Sequence, residues 1–157
     1  MLFVALTCIG CASQPVTTGI AFDSCTPHVV GAPNATAEQS ASVDDAIAMW
    51  NARGVVGLSR DAAAAGDSIR IVFRDAGPAD YGAYDDTTGT IFVNVEVTDR
   101  TERAITVAHE LGHAFALVHV TAGQRASVMN PGNLTVAPND GDQAALDVLW
   151  GACTITP

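Results

Sequence analysis

Four side chains in one short stretch have the types and spacing for metal-assisted hydrolysis. His109, Glu110 and His113 stand in the order H-E-x-x-H, and His119 follows six residues after His113. On a helix, residues four apart lie about 40° apart around the axis, so His109 and His113 can reach one metal ion from the same face. Glu110 is offset by about 100°, which leaves its carboxylate beside the metal rather than on it. A carboxylate there can take a proton from water and later give it to a leaving amine. Zinc, the ion this motif holds, polarises a carbonyl under attack and lowers the pKa of water to about 7.

His119 imposes a condition on the chain. Six further residues of helix would rotate it by about 240° from His113, towards the opposite face. To act as a ligand it needs the helix to end soon after His113 and the chain to turn back. In the pattern H-E-x-x-H-x-x-G-x-x-H a glycine makes that turn; here the position is Ala116. If the turn needs a positive φ, alanine costs roughly 1–2 kcal/mol there, small beside the ~10–16 kcal/mol of apparent zinc binding in structural sites. The alternative is that the helix continues through Ala116 and a carboxylate such as Asp140 or Asp142 replaces His119.

Downstream, Ser127-Val128-Met129-Asn130-Pro131 resembles the Met-turn of the metzincin zinc proteases. Asp142-Gln143-Ala144-Ala145-Leu146-Asp147-Val148-Leu149-Trp150-Gly151 looks like the closing helix of small bacterial, matrixin-like members. The resemblance is strong from Ile91 to Gly151. It implies an α+β metzincin-like (zincin) domain: a twisted mixed β-sheet, two long helices and a C-terminal helix. It further implies one catalytic Zn2+ on His109, His113 and His119, with Glu110 as general base and then general acid. Met129 would form an apolar floor, and Pro131 a wall of the specificity pocket. Some metzincins carry a tyrosine where Pro131 stands, and Asn133 occupies the place of a matrixin tyrosine, so the pocket's shape is not given. The implied activity is endopeptidase cleavage of extended peptide or protein segments, without an acyl-enzyme. The alternative is a non-catalytic envelope zinc-binding or interaction domain with a vestigial site; the retained Glu110 argues against it.

Other elements must position these residues. Thr36 and Gln39 have capping-box spacing, and Val43, Ala46, Ile47 and Trp50 recur at helical intervals, which predicts a core helix from Ala37 to Arg53 ended by Gly54. Ser68 to Arg74 alternates as a strand, with Ile69, Ile71 and Phe73 on one face. Val55-Val56 is a short candidate strand, and another is expected near Ile20-Ala21-Phe22. Thr90 to Val97 reads as a strand, and the resemblance implies an edge strand near it that pairs with substrate backbone. The cleft rim is expected around Gly82 to Tyr84 or Gly89 to Phe92. The stretch Tyr81 to Gly89 reads as an acidic solvated turn. Calcium on Asp80, Asp85 and Asp86 is the less favoured reading, and no second zinc is expected there. Asp99 is placed to cap the motif helix, Arg100 to about Phe115, and Gly112 to allow close packing behind it. A last helix runs from Asp140 to Trp150, with Gly151 as its stop. His28 reads as an exposed loop residue.

The chain of 157 residues suits one domain, with a formal net charge of −10. All seven basic residues are arginine, and they are scattered. That excludes nucleic acid and a basic membrane-binding face. The expected organisation is a signal peptide at 1–11, a tether and N-terminal arm at 12–35 and a catalytic domain at 36–157. Ile9-Gly10-Cys11 resembles the end of a bacterial lipobox, so Cys11 is a candidate for lipidation and the protein reads as an envelope lipoprotein or secreted. Membrane contact would come only through that anchor, and a monomer is expected. Once the leader is removed, Cys25 and Cys153 form an even pair in an oxidising compartment. The alternative, a Cys25 thiol that blocks zinc as a matrixin propeptide cysteine does, lacks the surrounding switch pattern.

Overall fold

The computed structural model describes residues 19–54, 57–62, 67–77 and 80–153. The expected leader with Cys8 and Cys11, the tether up to residue 18 and the candidate strand Val55-Val56 lie outside the described residues.

Five strands form one mixed sheet: β1 (His28–Gly31), β2 (Leu58–Ser59), β3 (Asp67–Arg74), β4 (Gly82–Asp85) and β5 (Thr90–Asn94). Their order is β2-β1-β3-β5-β4. The first four in that order run parallel, and β4 lies antiparallel to β5 at the edge. Three helices accompany them: α1 (Ala37–Asn51), α2 (Arg100–Ala114) and α3 (Asp140–Trp150). Together they make a mixed α+β domain with a five-stranded sheet and three helices.

The alternation read in β3 places Ile69 and Ile71 in the core, with Phe73 half-buried against it. Ile91 and Val93 of β5 stand beside them. Val43, Ala46, Ile47 and Trp50 bring α1 onto this layer, and Val107, Ala108 and Leu111 bring α2. The Trp50 indole N–H, fully buried, donates to the Ala108 carbonyl at 2.9 Å, so its polar atom is satisfied by the motif helix itself. α1 starts on the expected capping box, with Gln39 N–H donating to Thr36 Oγ1 and Thr36 N–H to Gln39 Oε1. Its regular turns end at Asn51, and Gly54 takes a φ of 70°.

Three expectations are corrected. His28 is buried in β1, its Nε2 2.7 Å from the Asp23 carbonyl, rather than exposed in a loop. The strand of the N-terminal arm is His28–Gly31, and Ile20 to Phe22 makes only isolated backbone bonds, to Asp86 and Ala114. The stretch Tyr81 to Gly89 holds strand β4 before its turn begins. In each case pairing with a neighbouring strand or helix decides the outcome, and local composition does not carry that information. β5 also stops at Asn94, whose buried amide donates to the carbonyls of Gly77 and Asp80.

Cys25 and Cys153 form a disulfide with a Cα–Cα distance of 5.1 Å, across a sequence separation of 128. Cys25 is thereby unavailable as a blocking thiol. No helix among the described residues is long and apolar enough to cross a membrane.

Candidate active site

Asp99 caps α2 by accepting from the N–H groups of Thr101 and Glu102. The helix then carries His109 and His113 one turn apart and ends at Ala114, with Phe115 as its C-cap. Ala116 has a φ of 68° and is the one non-glycine residue at positive φ among those described. Its N–H donates to the His113 carbonyl, and the Leu117 N–H to the Gly112 carbonyl, both at 2.9 Å. This pair of bonds is a Schellman motif with alanine in the left-handed position that glycine usually fills. The helix therefore stops where His119 needs it to stop.

The turn also orients the ligands. His113 Nδ1 lies 2.9 Å from the Leu117 carbonyl, and His109 Nδ1 lies 2.6 Å from the Val128 carbonyl. A carbonyl can only accept, so both rings carry their proton on Nδ1 and turn an Nε2 lone pair inward. His119 Nε2 stands 3.1 Å from that of His109 and 3.2 Å from that of His113. Ligands about 2.0–2.1 Å from zinc at tetrahedral vertices are about 3.3 Å apart. Both spacings match edges of such a tetrahedron, so the three histidines fit a zinc ion, and all three line the cleft. Among the described residues these three histidines form the one cluster able to hold a metal ion. Burial lowers the pKa of His109 and brings that of His113 down to about 4, so both rings are neutral at pH 7, the state a ligand requires.

Glu110 is 5% exposed. Burial pushes its carboxyl up to about 8, against the Tyr84 backbone N–H that bonds it. Oε2 has no hydrogen-bond partner. A cation held by the histidines would favour the charged form. Gly82 lets β4 pass close, since a Cβ there would sit 2.8 Å from Glu110 Oε1.

Met129 is buried against α2, where a Cβ on Gly112 would collide with its Sδ. Behind it lies a network that the sequence reading missed. Asp142, fully buried, accepts from Ser127 Oγ, from the Val128 N–H at 3.0 Å and from Arg125 Nη1 at 2.7 Å. The other side of the Val128 residue is the carbonyl that orients His109. Asp142 thus reaches the His109 ring through the Val128 residue. The available signal was the capping spacing of Asn139 and Asp142, which form a reciprocal box at the start of α3. Neither rival carboxylate faces the histidines, because Asp142 is bonded in this network and Asp140 pairs with Arg53 at the surface.

The site opens into a cleft of about 560 Å3. Pro131 and Asn133 line it on one side, and Gly82 to Tyr84 on the other. Of the two stretches expected at the rim, Gly82 to Tyr84 borders the cleft. Asn133 holds the Met-turn, donating to the carbonyls of Val128 and Val136. Asp85 accepts from Thr87 and Thr88, with Asp80 and Asp86 beyond opposite ends of β4. The wall supplied by Ile20 and Ala21 was not foreseen.

Residues 65–126 match the family model of the IrrE N-terminal-like domain, Peptidase_M78. The match takes in β3, β4, β5, α2 and all three histidines, and ends before Met129. Over that stretch the chain is similar to a peptidase family, which together with the three histidines supports a zinc metallopeptidase-like domain. No curated protein matches the chain.

Proposed function

We propose that the protein is a zinc-dependent endopeptidase of the metzincin, matrixin-like type. The observation that carries this reading is the convergence of three Nε2 atoms beside a buried carboxylate in one open cleft. Zinc bound there would supply a Lewis acid for the scissile carbonyl and make nearby water more acidic. His109, His113 and His119 would hold it. Glu110, at the same opening, takes the proton from the attacking water and hands it to the departing amine. Zinc would favour its charged form, the state in which it accepts the proton. Met129 and Gly112 keep the floor apolar and close-packed, and Pro131 walls the pocket. The Met-turn and closing helix, outside the matched stretch, support the matrixin-like assignment.

The proposed setting is the bacterial envelope, with the leader cut before a lipidated Cys11, or the medium outside the cell after plain secretion. The Cys25–Cys153 disulfide supports an oxidising compartment. The test is cleavage of an unfolded generic protein by the zinc-loaded chain beside its Glu110→Ala variant, with zinc content measured in both. Cleavage by the parent alone upholds the reading. Zinc in both and cleavage in neither would favour the non-catalytic binding domain.

A further inference from the structure

β4 is the outer strand of the sheet, and its pairing with β5 fixes which backbone groups face outward. The Asn94 N–H donates to the Tyr81 carbonyl at 2.9 Å. Bonded and non-bonded pairs alternate along an antiparallel ladder. Tyr81, Ala83 and Asp85 therefore bond towards β5, while Gly82 and Tyr84 turn their N–H and C=O groups to the free edge. The bond from the Tyr84 N–H to Glu110 agrees with this phase. The open edge is short because the N-terminal arm closes one end. The Ile20 N–H donates to the Asp86 carbonyl, and the Tyr84 hydroxyl donates to the Ile20 carbonyl, both at 2.6 Å.

Each end of this edge carries one acidic and one apolar side chain. Asp80 and Tyr81 stand at its start, Asp86 and the facing Ile20 at its end, and all four line the cleft. Ile20 is 45% exposed and Tyr81 43%; Val118, 69% exposed, lines the cleft from the segment before His119. Of the four large exposed hydrophobics among the described residues, only Val148 lies elsewhere. Apolar exposure gathered in this way marks an interaction site. The charge is equally one-sided. No arginine lines the cleft, and the described ion pairs leave out both Asp80 and Asp86. The unpartnered, buried Oε2 of Glu110 belongs to the same cleft.

We propose that the cleft takes an extended, cationic protein segment: apolar or aromatic side chains at its centre, lysine or arginine towards its ends, and backbone paired to the Gly82–Tyr84 edge. Asp80 and Asp86 lie beyond opposite ends of β4, at most about 20 Å apart along the chain, so cations up to roughly six residues apart would meet both. An acidic segment would set like charges against both ends and be rejected. This inference rests on the cleft being a peptide site, but its test does not depend on turnover.

Two fluorescent peptides share one apolar centre, flanked in one by lysines and in the other by glutamates. Their binding is followed by anisotropy with the zinc-loaded and the metal-free Glu110→Gln chain, which should cut neither. The lysine peptide is expected to bind at least ~10-fold more tightly at low salt. The preference should fall below ~3-fold in the Asp80→Asn, Asp86→Asn double variant, and likewise in about 0.5 M salt. Equal binding, or no binding of either peptide, overturns the proposal. So does a preference that survives the double variant, because it would then come from the overall negative charge rather than the rim. Cleavage is measured separately on the parent. A lysine preference without cleavage of either peptide leaves the recognition standing and removes the peptidase reading.

Discussion

Beneath the three histidines nearly every polar group is bonded to another part of the chain, whereas along β4 a strip of backbone and two carboxylates face outward. The Met-turn is held by Asp142, by Asn133 and by the Val120 N–H, which donates to the Met129 carbonyl at 3.0 Å. The rim is held along one edge by β5 and at one end by the arm, and on its outer edge the Tyr84 N–H bonds Glu110 while Gly82 faces outward. The floor fixes atoms whose positions chemistry dictates, and the rim offers groups that a variable partner can complete. Substitutions in the floor should therefore act on metal and stability, and substitutions in the rim on the choice of partner.

The largest effect expected within the floor is on chemistry alone. Glu110→Gln should lower peptide cleavage by ~10^2–10^4-fold and leave zinc content unchanged, as read by kinetics and metal analysis. Asp142→Asn should be felt more widely. It removes a buried charge shared by four donors, the Asn139 N–H among them, and loosens the peptide that orients His109. Zinc affinity should fall by ~10–100-fold and stability by a few kcal/mol, measured by competition with a chelator and by denaturant titration. If only stability falls, the link from Asp142 through Val128 to His109 is wrong.

The difference in pH dependence between the metal-free parent and its Glu110→Gln variant isolates Glu110, since His109 and His113 are common to both. The folded pKa of Glu110, about 8, lies above the ordinary 4.5. The raised value favours the folded state while the carboxyl is protonated in both states, and this contribution is lost as pH rises from 4.5 through 8. The Glu110→Gln variant should therefore gain on the parent across that window, by a few kcal/mol at its upper end, in melts recorded with chelator present. Zinc should shrink the difference.

Two smaller effects probe the packing and the turn. Gly112→Ala drives a methyl into Met129 Sδ and should cost about 1–3 kcal/mol. Ala116→Gly should stabilise by about 1 kcal/mol, since the φ of 68° suits glycine better than alanine. Both are read from thermal or denaturant unfolding with zinc bound.

The floor was far more legible in the sequence than the rim. His109, Glu110 and His113 are tied by helical spacing, and the reversal at Ala116 follows from asking what His119 would need. The caps at Thr36 and Asp99 and the alternation in β3 are local signals of the same kind. The partners of His28, Ile20 and Asp142 are set by chain segments distant in sequence. His28 looked like a loop residue because β1 gains its character only from β2 and β3 on either side. Asp142 looked like a spare metal ligand because its local capping spacing with Asn139 does not reveal that it also receives Ser127, Val128 and Arg125. The role of Ile20 rests on its N–H donating to the Asp86 carbonyl and its carbonyl accepting from the Tyr84 hydroxyl, both more than sixty positions away.

The disulfide gives this arrangement an order in time. Cys25 and Cys153 are separated by 128 positions, and the ligands, the Met-turn, β4 and the closing helix all lie between them. Parallel pairing of β1, β3 and β5 already demands contacts distant along the chain, which form slowly. A growing polypeptide carries the H-E-x-x-H stretch before residue 153 is added. Until then it lacks the covalent tie that fixes the arm, and with it Ile20, against the cleft. The wall is secured after the chemistry it borders has been synthesised, so a nascent chain passes through a stage with ligands but without a closed cleft.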